Sequence, residues 1–277
     1  MINNITVIIV SYKSRKTILN CLKSLNQFKK ILILDNSNDK KLKDFLKKQS
    51  PRIKIFLSNK NNGYGAGYNF LINKVKTQFA LIMTPDTSIR KGSLKKYIKS
   101  LSDIKNKFCL MGPYSQNRNF ILENKKEISQ AKLILGFSML INLNQVKKKN
   151  FFDENFFLYM EDIDLCKRCL NQNKDILINK SFVVDHIGAK SSDLNKILFM
   201  KLRNWHWMWS QYFYFKKYNG AFLAFIYFLP KLINSSIKFL FFYIFRSENY
   251  VKYEFRVKGL FSSMIGKKSS LRPENLI

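Results

Sequence analysis

The sequence predicts an α/β protein: a doubly wound, mainly parallel mixed sheet flanked by helices, with a helical extension rich in aromatic and basic residues. Short β-branched runs that are apolar on both faces predict buried strands, and amphipathic segments alternate with them. From about residue 196 the composition changes to long aromatic segments, which predict the extension. We therefore expect two domains, at residues 1–192 and 193–277.

The first part of the chain alternates strand and helix at a regular rhythm. Ile5–Ser11 is β-branched and apolar, and the spacing of Ile18, Leu22 and Leu25 predicts a helix within residues 14–28. The same reasoning predicts strands at residues 31–34, 53–57 and 79–83 and helices at 40–49 and 65–75. Repeats of this length are typical of parallel sheets with right-handed crossovers.

Beyond Asp86 the rhythm loosens, and the predicted elements are less regular. The pattern predicts a helix at 94–101, a strand at 108–112, a polar loop or hairpin at 115–127, strand residues around Gly136 within 132–142, a helix at 158–171, and one or two strands within 175–184.

The C-terminal region combines apolar, aromatic and basic residues. Residues 197–218 predict an aromatic helix, whereas the apolar residues 221–245 are interrupted by Pro230, Lys231 and Lys238. Because no stretch reaches the ~18 uninterrupted apolar residues of a spanning helix, we expect two short helices in a membrane interface, with Lys on the wet side. A helical subdomain with the aromatics as its core is a compatible alternative.

The formal net charge is +31, from 49 Lys and Arg against 18 Asp and Glu. A basic chain indicates nucleic acid or an anionic membrane as partner, but Lys, Asn, Ile, Phe and Tyr are all abundant, as an AT-rich genome would produce. The four cysteines form no disulfide framework, which favours a reducing compartment. Thr6–Val10 is too short for the apolar region of a signal peptide, so we expect a cytoplasmic protein.

Acidic residues are scarce in this chain, and three of them, Asp35, Asp86 and Asp162, occupy informative positions. Asp35 and Asp86 each close an apolar run, at the strand ends where open α/β sheets bind ligands. Asp35 is able to accept hydrogen bonds from a base or a ribose, and Asp86 to hold a divalent metal at a diphosphate. The alternatives are an Asx-turn or helix cap for Asp35, which is preferred for that residue taken alone, and a plain Pro-Asp turn for Asp86.

Two further segments indicate a ligand site. The glycine-rich run 61–69 leads into a helix whose free N–H groups could meet a ligand, although its spacing is not that of a dinucleotide fingerprint. In residues 151–164, acids including Asp162 stand among phenylalanines, and a carboxylate beside an apolar pocket is able to act as a general base. Helix capping is the alternative there. We expect His186 to contact a metal or a diphosphate, and the alternative is a structural role.

These segments, in this order, resemble the family 2 glycosyltransferases of GT-A fold, and in particular their rhamnosyltransferase-like members. The resemblance covers about residues 5–190. It rests on Ser11-Tyr12, Leu34-Asp35-Asn36-Ser37, Asn61-x-Gly63 through Asn69, Pro85-Asp86, His186 and, most specifically, the block from Phe152 to Arg168.

The resemblance implies an inverting transferase that uses a nucleotide-diphosphate sugar, with dTDP-rhamnose as first guess and UDP-sugars next, and a divalent cation, Mg²⁺ or Mn²⁺. Its acceptor would be a saccharide or a lipid-linked saccharide at the inner face of the plasma membrane, and no nucleic acid would be bound. Carried over position by position, it implies Asp162 as general base, with Glu161 and Asp164 in support; Ser11, Tyr12, Asp35, Asn61, Gly63, Asn69, Asp86 and Arg168 at the donor; and Asp86 and His186 at the cation.

The sequence departs from the family pattern in two places. Thr84-Pro85-Asp86 carries one acid where the common metal motif has Asp-x-Asp, and no Gln-x-x-Arg-Trp follows the acidic cluster, which argues against a processive synthase. A basic, aromatic nucleic-acid-binding protein and a catalytically inactive membrane-associated scaffold remain as rival interpretations.

Overall fold

The computed structural model describes residues 1–104, 108–114, 127–188 and 192–276. The chain divides into two compact units. The first unit comprises Met1–Asp153 and Asp162–Asp193, and the second comprises Glu154–Glu161 and Leu194–Ile277. The short segment Glu154–Glu161 therefore belongs to the second unit, although the chain on both sides of it belongs to the first.

The first unit is built on a mixed sheet. Within the described residues the strands are β1 (Ile5–Ser11), β2 (Ile31–Asp35), β3 (Ile53–Leu57), β4 (Phe79–Met83), β5 (Thr87–Ile89), β6 (Leu110–Tyr114), β7 (Ile128–Gln130), β8 (Ser138–Asn142) and β9 (Ile176–His186). Their order is β3-β2-β1-β4-β8-β6-β9-β5, with β7 also paired to β9. Strands β1 to β4 pair in parallel, whereas β8 runs antiparallel to both β4 and β6.

Helices cover both faces of this sheet. They are α1 (Arg15–Ser24), α2 (Lys40–Gln49), α3 (Tyr64–Ile72), α4 (Ser93–Ile104) and α5 (Glu161–Asn171). Because strand side chains alternate between faces, Val7 and Ile9 join one core cluster with α1, α2 and α4, while Ile8 joins the other with α3 and α5. Burial on both faces explains why these strands are continuously apolar.

The second unit is helical. It contains α6 (Lys196–Asn219), α7 (Ala221–Ile244), α8 (Asn249–Met264) and a short 3-10 helix at Pro273–Leu276. Asn195 caps α6 by accepting a hydrogen bond from the Leu198 N–H at 2.8 Å. Gly220, with φ of 86°, ends α6 and begins α7. Trp205, Trp209 and Tyr212 are buried in this unit, as the alternative interpretation of the aromatic residues predicts.

The predicted α/β fold with a mixed sheet and C-terminal helices is confirmed, and several elements have the predicted bounds. Strands Ile5–Ser11, Ile53–Leu57 and Phe79–Met83 and helix Lys40–Gln49 agree residue for residue. The loop or hairpin predicted at residues 115–127 lies, up to residue 126, outside the described residues. Strands β5 and β7 and helix α8 were not predicted, and of residues 132–142 only Ser138–Asn142 forms a strand.

Two helix predictions are corrected. The helix predicted from residue 158 begins at Glu161, because Tyr159 and Met160 have left-handed backbone angles that a helix excludes. The interruption predicted at Pro230 within residues 221–245 is absent, because one helix of 24 residues, Ala221–Ile244, contains Pro230. By length and composition alone, this helix is long and apolar enough to cross a membrane.

Candidate active site

The sheet brings most of the predicted site residues to one edge. In the register of the strands, Ser11 lies beside Asp35, and Met83 lies beside Ser138. The ends of β2, β1 and β4 and the start of β8 therefore follow one another along the same edge. Adjacent strands are about 4.8 Å apart, so the edge from β2 to β8 measures about 14 Å. An edge of this length suits an extended ligand.

Asp35 is fully buried and organises the turn after β2. Its carboxylate accepts hydrogen bonds from the hydroxyls of Ser11 at 2.8 Å and Ser37 at 2.9 and 3.0 Å, and from the Asp39 N–H at 2.8 Å. The contacts come from three donors, because the Ser37 hydroxyl has one proton and shares it between the two carboxylate oxygens. The contacts are those of the turn-forming alternative, with Asp39 rather than Asp35 as the cap of α2.

Tyr12 follows β1 directly and is half-buried. Its backbone is fixed by Ser14, whose hydroxyl accepts from the Tyr12 N–H at 3.2 Å and donates to the Tyr12 carbonyl at 3.0 Å. The Lys13 ammonium lies 5.6 Å from the centre of the Tyr12 ring. A partly exposed ring at the carboxyl edge of β1 offers a flat surface on which a base can stack.

The Asn61–Gly63 turn is joined to the turn after β2. Asn61 accepts a hydrogen bond from the Gly63 N–H at 3.0 Å, and the Gly63 carbonyl accepts one from the Asn36 amide at 3.2 Å. Gly63 has φ of 84°, a conformation that favours glycine. A cavity of about 480 Å³ opens beside this turn, lined by Ser58, Asn59, Lys60, Asn62 and Phe70, among others.

The remaining glycines of this run serve packing rather than ligand approach. A Cβ on Gly67 would lie 2.9 Å from both γ-carbons of Val10, and one on Gly65 would lie 3.0 Å from Phe152 Cβ. The amide of buried Asn69 pairs with the backbone of Phe152, through bonds of 2.9 and 2.8 Å. Helix α3 is thereby attached closely to β1 and to the start of the acidic segment.

Asp86 and His186 are brought together by the pairing of β5 with β9. Thr87 lies beside His186 in the register, and the Ile187 N–H donates to the Asp86 carbonyl at 3.1 Å. His186 Nε2 lies 3.3 Å from Asp86 Oδ2, and the imidazole stacks on Phe137 with ring centres 4.6 Å apart. Two residues a hundred positions apart in the sequence thus form one polar pair.

The electrostatics of Asp86 fit a cation. Burial raises the pKa of Asp86, but the hydrogen bond and charge of His186 and the nearby Thr84 hydroxyl outweigh burial, so this pKa lies below its usual value. Asp86 Oδ1 is buried and has no hydrogen-bond partner among the described residues. An ionised carboxylate with an unsatisfied oxygen beside an imidazole suits Mg²⁺ or Mn²⁺.

The protein supplies only part of such a coordination shell. Among the described residues, no group of three or more His, Cys, Asp or Glu side chains could hold a metal. A cation held by Asp86 and His186 would need further oxygen ligands from outside the protein, such as phosphate oxygens and water.

Asp162, the second residue of α5, is held at the β8 end of the edge. Its Oδ2 accepts from the Gly136 N–H and its Oδ1 from the Ile163 N–H, both at 2.9 Å. The Gly136 carbonyl accepts from the Tyr64 hydroxyl. A Cβ on Gly136 would meet that hydroxyl at 2.5 Å, so only glycine fits between Tyr64 and Asp162 without displacement.

Asp164 and Arg168, two other charged residues of α5, pair with each other. Arg168 donates to buried Asp164 at 2.8 Å and to the Phe151 carbonyl at 2.6 Å, so it joins α5 to the segment before it. In the second unit Glu161 is buried, and the pKa of Tyr159 is raised to about 12, mainly by burial.

The chain that leads to Asp162 is strained. Tyr159 and Met160 have φ of 70° and 71°. A left-handed conformation costs a residue with a side chain about 1–2 kcal/mol, and two in succession persist only where the surroundings enforce them.

Gly136, Tyr64 and Phe137 belong to this site but were not predicted as site residues. Gly136 was noted only as an interruption of a strand pattern. A glycine within a strand pattern indicates close backbone approach, which is the signal that could have identified it. Tyr64 was covered only as a member of the glycine-rich run 61–69, and Phe137 carries no comparable signal, since it is an ordinary aromatic residue in an apolar run.

Comparison with known families identifies the class of protein. The family model described as glycosyl transferase family 2 matches residues 6–168. The chain belongs to the family 2 glycosyltransferases and is therefore an enzyme of sugar transfer.

Two curated relatives fall in the same class. The chain is 24% identical over 219 residues to the low-salt glycan biosynthesis hexosyltransferase Agl10 of Haloferax volcanii, with 70% of this chain and 69% of the relative covered. It is 25% identical over 238 residues to the rhamnosyltransferase WbbL of Escherichia coli K12, with 72% and 88% covered.

Solved structures show the same GT-A fold. The mannosyltransferase PcManGT from Pyrobaculum calidifontis, in complex with GDP-Man and Mn²⁺, matches with a TM-score of 0.61 at 10% identity, covering 96% of this chain and 88% of that one. Other neighbours are longer, and the chain covers only 42% of GalNAc-T7, solved with UDP, GalNAc and Mn²⁺.

Proposed function

We propose that this enzyme is an inverting glycosyltransferase that moves a sugar from a nucleotide-diphosphate donor to a saccharide or lipid-linked saccharide acceptor in glycan synthesis. The observation that carries the proposal is the arrangement along one sheet edge of Ser11 and Asp35, then Asp86, then Asp162. A donor with base, diphosphate and sugar in line matches that order. Family membership supports the reaction class.

Asp162 is the proposed general base. Each of its oxygens accepts a backbone N–H, so the carboxylate is held in a fixed orientation. In a single displacement, Asp162 takes the proton of the acceptor hydroxyl while that oxygen attacks the anomeric carbon from the face opposite the diphosphate. The bond from the anomeric carbon to the diphosphate breaks, the nucleoside diphosphate leaves, and the anomeric configuration inverts. Fixed orientation of both substrates supplies much of the acceleration.

Asp86 and His186 are the proposed protein ligands of a divalent cation, Mg²⁺ or Mn²⁺. The unsatisfied Asp86 Oδ1 and the lowered pKa of Asp86 support this assignment. A bound cation neutralises the charge of the leaving diphosphate. Two structural neighbours, GalNAc-T7 and PcManGT, were solved with Mn²⁺, which agrees with the assignment.

The donor pocket is proposed to begin at Tyr12, on which the base stacks, with Ser11, Asp35, Asn61 and Gly63 shaping its wall. Asn69 and Arg168 are proposed to shape the pocket indirectly, because their side chains bind the backbone of Phe152 and Phe151. Rhamnose is the first candidate sugar, since WbbL is a rhamnosyltransferase. UDP-hexoses are second, since other neighbours bind UDP or UDP-GlcNAc.

A membrane surface is the proposed partner of α7. One face carries large apolar residues at intervals of three and four, called here the α7 stripe: the exposed Phe222, Ile226, Ile233, Ile237, Leu240 and Ile244 and the half-buried Leu229. Its opposite face packs through Ala224 and Phe228 in the core of the second unit. Lys231 and Lys238 lie outside the stripe, as an interfacial helix requires.

We infer that α7 lies in the membrane surface and does not cross it. Helix α7 packs against α8, which carries Lys252, Glu254, Arg256 and Lys258. Charged side chains are costly in the bilayer core, so a folded second unit cannot follow α7 across. Peripheral attachment at the cytoplasmic face is therefore the proposed location.

The central experiment separates binding from transfer. A thermal-shift screen against dTDP- and UDP-sugars, with and without Mn²⁺, identifies the donor. Release of nucleoside diphosphate is then measured with a lipid extract as source of acceptors. We expect Asp162→Asn to retain the donor-induced thermal shift and to lose transfer by ~100-fold or more, the scale of general-base loss. A wild-type rate in Asp162→Asn excludes Asp162 as the base.

The same screen tests the cation site. Asp86→Asn should lose the Mn²⁺-dependent part of the donor-induced thermal shift, because it removes the charge that holds the ion. Asp185→Asn is the matched control: Asp185 precedes His186 on β9, is half exposed and pairs with Arg90. Equal Mn²⁺ dependence in Asp86→Asn and Asp185→Asn would rule out the site.

The alternative function, nucleic-acid binding, predicts a different result. A salt-dependent shift of an oligonucleotide, with no thermal response to any nucleotide sugar, would favour the rival.

A further inference from the structure

The segment that precedes Asp162 is anchored residue by residue within the second unit. The Phe156 ring packs edge-on against Phe213, with centres 5.0 Å apart, and the Tyr159 ring against Trp207 at 5.5 Å. The Leu158 carbonyl accepts from the Ser210 hydroxyl at 2.9 Å. All three partners, Phe213, Trp207 and Ser210, belong to α6. Helix α6 therefore sets the path of the chain that enters the left-handed turn at residues 159 and 160.

Phe157 is held differently, between α6 and the C-terminal end of the chain. Its ring centre lies 4.7 Å from that of His206, and the Arg272 guanidinium lies 3.5 Å from the Phe157 ring centre. Arg272 is itself fixed, since it donates to the carbonyls of Ser269 and Leu271, both at 2.9 Å. An arginine stacked on an aromatic ring in a half-buried setting is a favourable cation–π pair.

His206 fastens the C-terminal segment to α6. Its Nε2 lies 3.0 Å from the Leu271 carbonyl, which only accepts, so Nε2 carries the proton. Its Nδ1 then accepts from the Ser269 hydroxyl at 3.0 Å. The Trp209 indole N–H donates to the Lys267 carbonyl, also at 3.0 Å. Residues 267–272, called here the C-terminal clasp, are thus tied to α6 by three hydrogen bonds that are buried or partly buried.

We infer that the C-terminal clasp is a positioning element for the reaction: through Arg272 and Phe157 it maintains the left-handed turn at Tyr159 and Met160 from which Glu161 and Asp162 follow. Nothing in residues 156–160 favours this turn by itself, since none of them is glycine or asparagine. The conformation must therefore be imposed by its neighbours. The clasp supplies a second contact on Phe157, from Arg272, in addition to that of His206 on α6.

This inference rests on the proposed role of Asp162, but its structural half is testable without activity. Hydrogen–deuterium exchange of residues 156–162 should rise at least several-fold in Arg272→Ala. Lys268→Ala is the control, because Lys268 lies in the clasp and is exposed. Unchanged exchange in Arg272→Ala, or an equal increase in Lys268→Ala, would contradict the role of the clasp in holding residues 156–162 in place.

The catalytic half is tested by the transfer reaction. Loss of the clasp should lower kcat by about 10- to 100-fold, the effect of a base misplaced by about 1 Å, and leave the KM for the donor unchanged. Arg272→Lys, which keeps a cation over the ring, should recover part of kcat. A parallel fall of kcat and donor affinity, or wild-type kcat in Arg272→Ala, would contradict the positioning role.

A second-site variant separates positioning from general stability. Glycine adopts the left-handed conformation without penalty, so Met160→Gly should reduce the dependence on the clasp. We expect Arg272→Ala with Met160→Gly to transfer sugar faster than Arg272→Ala alone. No recovery in the double variant would count against the turn as the target of the clasp.

Discussion

At the scale of single residues, His206 shows how surroundings fix the chemistry of a side chain. It is completely buried, and burial, together with the charge of Arg272, lowers its pKa to about 3. The imidazole is therefore neutral in the folded protein at neutral pH. In the unfolded chain, the same group titrates near its ordinary value of about 6.5.

This difference predicts a pH dependence of stability. Between pH 6.5 and about 3 the unfolded chain binds a proton at His206 that the folded protein does not. The stability gained from the neutral imidazole is thus present above about pH 6.5 and decreases as the pH falls, by at most about 1.4 kcal/mol per pH unit. Urea unfolding of the wild type and His206→Gln at pH 7.5 and 5 measures it. The difference in free energy of unfolding between the wild type and His206→Gln should be smaller at pH 5 than at pH 7.5. An equal difference at both pH values would contradict this account.

Single residues also show which parts of the candidate site can be predicted from the sequence. Asp86 and Asp162 were noticed because acids are rare in this chain and each ends or begins a regular element. His186 was assigned beside Asp86 through the family resemblance, and the contact of Gly136 with Asp162 was not predictable, because the tertiary fold alone makes them neighbours. The internal bonds of Asp35, Asn69 and Arg168 show that a polar residue in a ligand-like pattern can instead hold the protein together.

At the scale of elements, the attachment of α3 to β1 depends on the absence of a side chain at Gly67. The helix approaches so closely that any Cβ there meets Val10. This contact fixes how α3 lies over the sheet, and with it the position of the Asn61–Gly63 turn.

A double-mutant cycle tests this contact. Gly67→Ala should destabilise the protein by about 1–3 kcal/mol, the usual cost of overpacking. Val10→Ala removes both γ-carbons that the new methyl would meet. The double variant should therefore be more stable than the sum of the single effects predicts, as measured by urea unfolding. Strict additivity would mean that α3 moves away freely.

Elements were predictable where local pattern and tertiary burial agree. The parallel strands β1 and β4 are apolar on both faces, so their bounds follow from composition. Strands β5 and β7 have three residues each, too few for a periodic signal, and exist through pairing with β9. Pro230 predicted a break in α7, because proline removes a helix hydrogen bond. Packing on α6 and α8 holds the helix together on both sides of it.

At the scale of the whole molecule, charge and exposed apolar surface coincide in the C-terminal part. Residues 194–277 contain 14 Lys and Arg against three Glu. Most of the large exposed apolar side chains of the described residues lie on α7 or directly beside it. A basic surface next to an apolar stripe favours anionic lipid.

The whole protein should therefore bind vesicles that contain anionic lipid. Replacement of Ile226, Ile233, Ile237 and Ile244 by serine should reduce sedimentation with such vesicles by at least several-fold. These residues are at least half exposed, so folding should persist. Phe45→Ser with Leu170→Ser, which removes exposed apolar residues elsewhere, is the control. Alkaline carbonate should release the bound wild type if, as proposed, α7 lies in the membrane surface. Resistance to carbonate would show that it does.

The pairing of β5 with β9 has a consequence for how the protein is made. Asp86 leaves the ribosome a hundred residues before His186, and at 5–20 residues per second this interval lasts roughly 5–20 s. Throughout it, the nascent chain has the carboxylate but not the imidazole. The polar pair is completed only when nearly all of the first unit has been synthesised, so a truncated translation product cannot assemble it.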